Sequence, residues 1–147
     1  MHKKGQAAME FLMTYGWAIL VVLVAIGALA YFGVLSPGKF LPESCVIAPG
    51  FSCEDFKIGA DGSATVIIKN GAKATLTSVG VLIGAVAGVC APVTVSVGSI
   101  TTCTWAAAAL TPGTAGDRFK STVSLTYTEQ GSTIAHTKTG DLVVKYE

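Results

Sequence analysis

From Phe11 to Gly38 the sequence carries no charged residue, and a single carboxylate, Glu10, stands directly ahead of this run. At a rise of 1.5 Å per residue, about 20 apolar residues cross a hydrocarbon core of ~30 Å, so the run can span a bilayer and project beyond it. Wherever the rest of the chain folds, these residues have to be kept from water. Lys3 and Lys4 precede the run, and the positive-inside rule holds them on the cytoplasmic side, which places the residues after Lys39 outside.

Two ordinary readings of such a run are a cleaved secretory signal and an uncleaved signal anchor. Ala28-Leu29-Ala30 offers a small-x-small site for the first. The apolar stretch ahead of that site is longer than the ~7–15 residues usual in a signal peptide, and an acid at its head is out of place there. The wider composition agrees with a membrane segment. Of 147 residues, 51 % are hydrophobic and 13 % charged, which leaves room for one domain of roughly 100 residues beside the span. A net charge of +1 gives no electrostatic case for nucleic acid, which needs a clustered basic face.

After Ser36-Pro37-Gly38 the texture changes to Thr, Val, Ser and Gly in short alternating stretches. Ser63–Lys69, Val93–Val97 and Phe119–Thr128 alternate at period two with β-branched residues, as half-buried strands do. Asp61-Gly62, Asn70-Gly71, Gly98-Ser99, Pro112-Gly113, Gly131-Ser132 and Gly140-Asp141 punctuate them, with Asn70-Gly71 the strongest two-residue hairpin signal. Ala106–Leu110 reads as a short helical turn or a loop. The expected class is α+β: a long hydrophobic N-terminal α-helix followed by an antiparallel β-sandwich-like domain of seven or more strands.

Cys45, Cys53, Cys90 and Cys103 all fall on the exported side, where disulfides form and persist. Four cysteines allow three connectivities; Cys45–Cys53 with Cys90–Cys103 is favoured because both closures are local and Pro49-Gly50 can turn the first loop. No C-x-x-C occurs and His136 is the only exported histidine, so neither a metal site nor any cofactor is expected. His136 has no nucleophile pattern around it, Glu54-Asp55 reads as a solvated pair, and no Gly-rich phosphate loop opens a helix. Catalysis is not expected. The sole asparagine, Asn70, precedes Gly-Ala and makes no N-glycosylation sequon, while 16 threonines leave O-linked sugar open.

One string is not generic. Lys3-Lys4-Gly5-Gln6-Ala7-Ala8-Met9-Glu10-Phe11 resembles the processing site of archaeal type IV pilins, which carry a class III signal peptide. The likeness extends over roughly residues 3–35, through Tyr15-Gly16-Trp17 and the Val/Leu/Ala/Gly run behind it; Ala8 departs from the Ser often found there. The resemblance implies a leader over 1–5, cut between Gly5 and Gln6 by a membrane prepilin peptidase recognising Lys3, Lys4, Gly5 and Gln6. It implies a helix over 6–38 that spans the membrane before assembly and forms a filament core after it, and an extracellular head over 39–147. Archaellins share the peptidase and generally lack the Gln/Glu/Phe signature, so they rank second within the class.

The same resemblance implies that Gln6, Glu10 and Phe11 set register between subunits, the Glu10 carboxylate meeting the free amine of Gln6 on a neighbour. Cyclisation of that glutamine to pyroglutamate removes the amine and leaves Glu10 needing a proton or hydrogen bonds instead. Gly16, Ala18, Ala25, Gly27, Ala28, Ala30 and Gly33 are the small residues that let such helices approach closely. The implied partners are copies of the chain itself, the membrane, the peptidase and the pilus assembly machinery. Two readings from other classes stand beside it: a monomeric signal-anchored surface protein with a ligand-binding β domain, and a soluble domain released after Ala30.

Overall fold

The computed structural model describes residues 3–33 and 41–147 of the chain. They fall into two units, Met1–Leu41 and Pro42–Glu147. The first is one helix, α1, Lys3–Tyr31. Residues 34–38 of the helical segment expected over 6–38 lie outside the described residues. The second unit begins at Pro42 and is built from antiparallel sheets.

Among the described residues nine strands follow α1: β1 Ser44–Val46, β2 Phe51–Ile58, β3 Ala64–Asn70, β4 Leu76–Ile83, β5 Val86–Ala87, β6 Val89–Ala91, β7 Ile100–Trp105, β8 Arg118–Glu129 and β9 Ala135–Lys145. One sheet has the order β1-β9-β8-β4-β5 and the other β2-β3-β7-β6. Both contribute to a single buried cluster that includes Ile58, Val66, Ile68, Leu76, Val81, Cys103, Trp105, Val123, Leu125, Leu142 and Val144. The period-two pattern explains the inward faces: Ala64, Val66 and Ile68 of β3 are buried, as are Val123, Leu125 and Tyr127 of β8. In β4 the phase slips from Leu76 to Val79 because a register irregularity lies between Thr77 and Gly80, with Ser78 at φ 52°.

The outward faces are rich in hydroxyls. Thr126 pairs with Thr137 and Ser124 with Thr139 across β8 and β9, and Thr65 with Thr104 across β3 and β7.

The Asn70-Gly71 hairpin does not form. Asn70 ends β3 and β4 belongs to the other sheet, so residues 71–75 cross between sheets rather than turning within one. The reason lies in the Asn70 side chain, which is only 1 % exposed. Its Nδ2 donates to the carbonyls of Ala74 and Val95, each at 3.0 Å, and its Oδ1 accepts from the Ala72 amide at 2.9 Å. Buried amides need such partners, and here they fasten the corner.

The Val93–Val97 strand is likewise reduced to one bridge, Leu76↔Val95. This segment leaves β6 to pair with the edge of β4 and then returns to β7. Only Val95 turns inward, while Val93 and Val97 stay exposed. The Gly140-Asp141 turn signal falls inside β9 instead: a Cβ on Gly140 would strike the carbonyl oxygen of Val46, so glycine there admits the backbone leaving β1. Ala106–Leu110 is an irregular turn, tied by the Ala108 amide to the Asp61 carbonyl and by the Leu110 amide to that of Gly62.

Of the three possible connectivities the protein has Cys45–Cys53 and Cys90–Cys103. The first joins β1 of one sheet to β2 of the other; the second joins directly opposed residues of β6 and β7. On a chain-entropy account the two short closures contribute similar stability, about 2.5–3 kcal/mol each.

Replacing Asn70 by Ala removes three hydrogen bonds made by a side chain that is almost wholly buried and leaves a void in its place, an expected loss of about 2–4 kcal/mol. Urea unfolding of Asn70→Ala followed by near-UV circular dichroism measures this as a lowered midpoint with an unchanged slope.

Candidate functional site: the N-terminal helix

A helix in a water-soluble fold shows one apolar stripe; from Phe11 onward α1 shows none, because it is apolar all round. Its side chains lie open along the whole length, from Met13 at 80 % exposure and Trp17 at 69 % to Tyr31 at 86 %. Lys4–Tyr31 is long and apolar enough to cross a membrane. The termination is local: Phe32 N donates to Ala28 O at 3.0 Å and Gly33 N to Ala30 O at 3.1 Å. Gly33 adopts φ 70°, the left-handed conformation that closes helix ends and that glycine takes without a Cβ penalty.

Lys3, Lys4, Gly5 and Gln6 form the first turns of α1, and the helix continues without interruption through Gly5-Gln6. Gln6 and Glu10 are four apart and so share a helix face, and a helical side chain leans toward the N-terminus, which carries the Glu10 carboxylate back over the turn of Gln6. Glu10 is exposed, and its main-chain carbonyl accepts from Thr14 Oγ1 at 2.8 Å. Phe11 packs on Tyr15 with ring centroids 4.8 Å apart. An acid at this place is costly in lipid unless paired, protonated or left at the wet interface.

The small residues do not gather on one side. At 3.6 residues per turn Gly16 and Gly27 lie about 20° apart around the axis, while Ala18 and Ala25 lie on the opposite face. Ala28 and Ala30 fall between these directions, and Gly33 sits just past the last helical residue. Nothing lies within 4 Å of where a Cβ would project from Gly16 or Gly27. Beside Ala18 the larger Tyr15, Ile19, Val22 and Leu23 frame an apolar hollow of about 270 Å³. Close approach is therefore possible from more than one direction, a feature that a list of small residues in the sequence did not convey.

Among the described residues no three or more His, Cys, Asp or Glu side chains come together as a group that could hold a metal ion. His136 stacks on Tyr127 with centroids 5.4 Å apart. Glu54 accepts from Ser52 Oγ at 2.7 Å, and Asp55 accepts from the Phe56 amide at 2.9 Å. Lys57 pairs with Glu147, and that hydrogen bond and charge raise its pKa; both side chains are well exposed, so the pair adds little stability. The cavity between the sheets, near Asn70 and Thr101, holds only about 10 Å³. Asp61 is held below its ordinary value by hydrogen bonds from the Ser63 hydroxyl and amide.

Comparison of the chain with protein-family models, curated proteins and solved structures returns no match. What stands on the molecule itself is an N-terminal helix of membrane-crossing length joined to a domain with two disulfides. That pairing fits membrane attachment or export, with the disulfide-bonded part in an oxidising compartment.

Two measurements check these assignments. Leu20→Lys sets a charge near mid-span and is expected to raise the cost of insertion by about 2.5–3.5 kcal/mol, moving the protein from the carbonate-resistant membrane pellet toward the supernatant. A lowered folded pKa means that Asp61 stabilises the fold above its ordinary value of 3.8 and that this contribution is lost as pH falls through the folded value. By NMR titration, Ser63→Ala is expected to move the Asp61 midpoint upward.

Proposed function

We propose that this chain is a type IV pilin-like subunit of an archaeal surface filament, acting by assembly and not by catalysis. The observation that carries the reading is the string Lys3-Lys4-Gly5-Gln6-Ala7-Ala8-Met9-Glu10-Phe11 at the head of a helix that is apolar on every side. Cleavage after Gly5 on the cytoplasmic side removes both lysines and keeps the apolar helix, the reverse of a signal peptidase cut. The chain waits in the membrane, and the assembly machinery then draws it out. Outside lipid, exposed apolar surface is disfavoured by roughly 25 cal/mol per Å², so the helix is covered by copies of itself in a filament core. Gly16 and Gly27 on one face, with Ala18 and Ala25 on the other, suit contact with several neighbours at once.

In this reading Glu10 marks register. Its carboxylate meets the amine of Gln6 on a neighbouring subunit and neutralises a charge that a closed apolar core does not tolerate unpaired. Residues 42–147 form a sandwich-like head on the filament's outer surface, held by two disulfides in an extracellular setting. The head carries the fibre's contacts with its surroundings.

N-terminal sequencing of protein sheared from cells tests the reading. A start at Gln6 is the expected result. Met1 or His2 identifies an uncleaved surface anchor, and Tyr31 a secreted soluble domain; either overturns the proposal. Gly5→Val is expected to leave uncut precursor in the membrane and no filaments. Glu10→Ala is expected to be cut normally while filament yield drops about tenfold or more, because the amine of Gln6 loses its partner. Intact-mass analysis of filaments reports whether Gln6 has cyclised, and so whether that partner is an amine.

A further inference from the structure

We infer that the Cys45–Cys53 disulfide is a load-transfer staple: it hands tension entering from the helix to both sheets of the second unit, where otherwise one edge strand would bear it. The source of tension rests on the proposed anchoring of α1; the geometry of the staple does not.

The covalent route from the first unit into the second passes from Leu41 to Pro42. Two residues later it meets β1, which has three residues and is the outermost strand of its sheet. The pairs are Ser44↔Val143, Cys45↔Leu142 and Val46↔Asp141, antiparallel to β9. The Lys145 amide adds one hydrogen bond to Glu43 Oε1 at 3.2 Å. Because β1 is antiparallel to β9, a pull between Pro42 and the chain's end at Glu147 loads these pairs one at a time, starting at Ser44. A ladder opened from its end resists far less than one sheared along its length, because each backbone hydrogen bond contributes only a small net free energy.

The disulfide interrupts this peeling at the second pair. From Cys45 the load crosses to Cys53 in β2, an eight-residue strand of the opposite sheet. Cys53 is paired with Ile68 of β3, and β3 is held on both sides, by β2 and by β7. Ile68 belongs to the shared core. Tension that would otherwise peel an edge is thereby set against the packing of both sheets, and residues 46–52 are bypassed. The other disulfide, Cys90–Cys103, joins neighbouring strands β6 and β7 far along the chain from the point of entry, so it carries none of this first load. The two bridges close loops of similar size, so equilibrium stability alone does not distinguish their roles.

The test is constant-force stretching of the full chain in detergent micelles, with handles before Met1 and after Glu147. In the oxidised wild type the second unit is expected to open in one step. Cys45→Ser/Cys53→Ser is expected to show an early short extension as β1 peels, and a lifetime under load about tenfold shorter. Cys90→Ser/Cys103→Ser, with a comparable loss in urea stability, is expected to change that first lifetime by no more than about threefold.

A second measurement needs no variant. Cys45 and Cys53 are half-buried, whereas Cys90 and Cys103 are buried, so a small thiol reaches the first bridge in the folded protein. A sequence separation of 8 at ~3.4 Å per residue, less the 5.8 Å Cα–Cα span, gives a release of roughly 20 Å on reduction. That step is expected before the second unit opens, at a rate that rises with force. A step rate indifferent to force, or a Cys45→Ser/Cys53→Ser lifetime equal to that of the wild type, overturns the staple. Failure of the filament reading appears separately, as a mature N-terminus other than Gln6.

Discussion

A helix apolar on every side cannot rest in water, and this constraint governs the rest of the molecule. Residues 11–31 offer no polar face that could be left outward while another is buried. Only a surrounding medium as apolar as the helix will do, and two media qualify: the hydrocarbon of a bilayer, or the sides of like helices. The small residues on opposed faces suit the second, and the length suits the first. The proposed fibre uses both in turn, which is why a single segment carries features of a membrane span and of a packing rod.

The disulfide-bonded unit meets a different problem, that of ending a sheet safely. Exposed strand edges invite pairing with other chains, and short edges, charges and bulges discourage it. Here β1 and β5 are brief, β2 carries Glu54, Asp55 and Lys57 with a register irregularity between Cys53 and Asp55, and the segment through Val95 covers part of β4. Two further contacts tie the sheets together, one through backbone and one through a side chain. Glu147 exchanges backbone hydrogen bonds with Ile58 and Ala60, and the Asn70 side chain fastens the crossing from β3 to β4.

The apolar run and the β texture were legible in the sequence because each rests on a local period. The helix, β3 and β8 follow from composition and alternation alone. Two expectations failed for one reason: Asn70-Gly71 and Gly140-Asp141 carry local turn chemistry, but the partner that decides their use is remote. Asn70 serves Val95, and Gly140 makes way for Val46. Val93–Val97 alternates well, yet the chain uses it to reach over to β4 and return to its own sheet. Along α1 the motif residues could be named from sequence, whereas their arrangement around the axis, with the hollow beside Ala18, needed the helix itself.

The outward hydroxyl rows have a colloidal consequence. Beyond Gly38 the sequence holds eight basic and eight acidic residues, so this part of the chain is close to isoelectric. Bodies without net charge feel little mutual repulsion and hold few counterions, so their spacing depends only weakly on dissolved salt. Hydroxyls of Ser and Thr, beside the balanced charged side chains, keep such bodies wetted. Net charge repulsion therefore sets no minimum spacing between copies of this domain, and how closely they stand is decided by the shape and hydrogen bonding of the surfaces that meet.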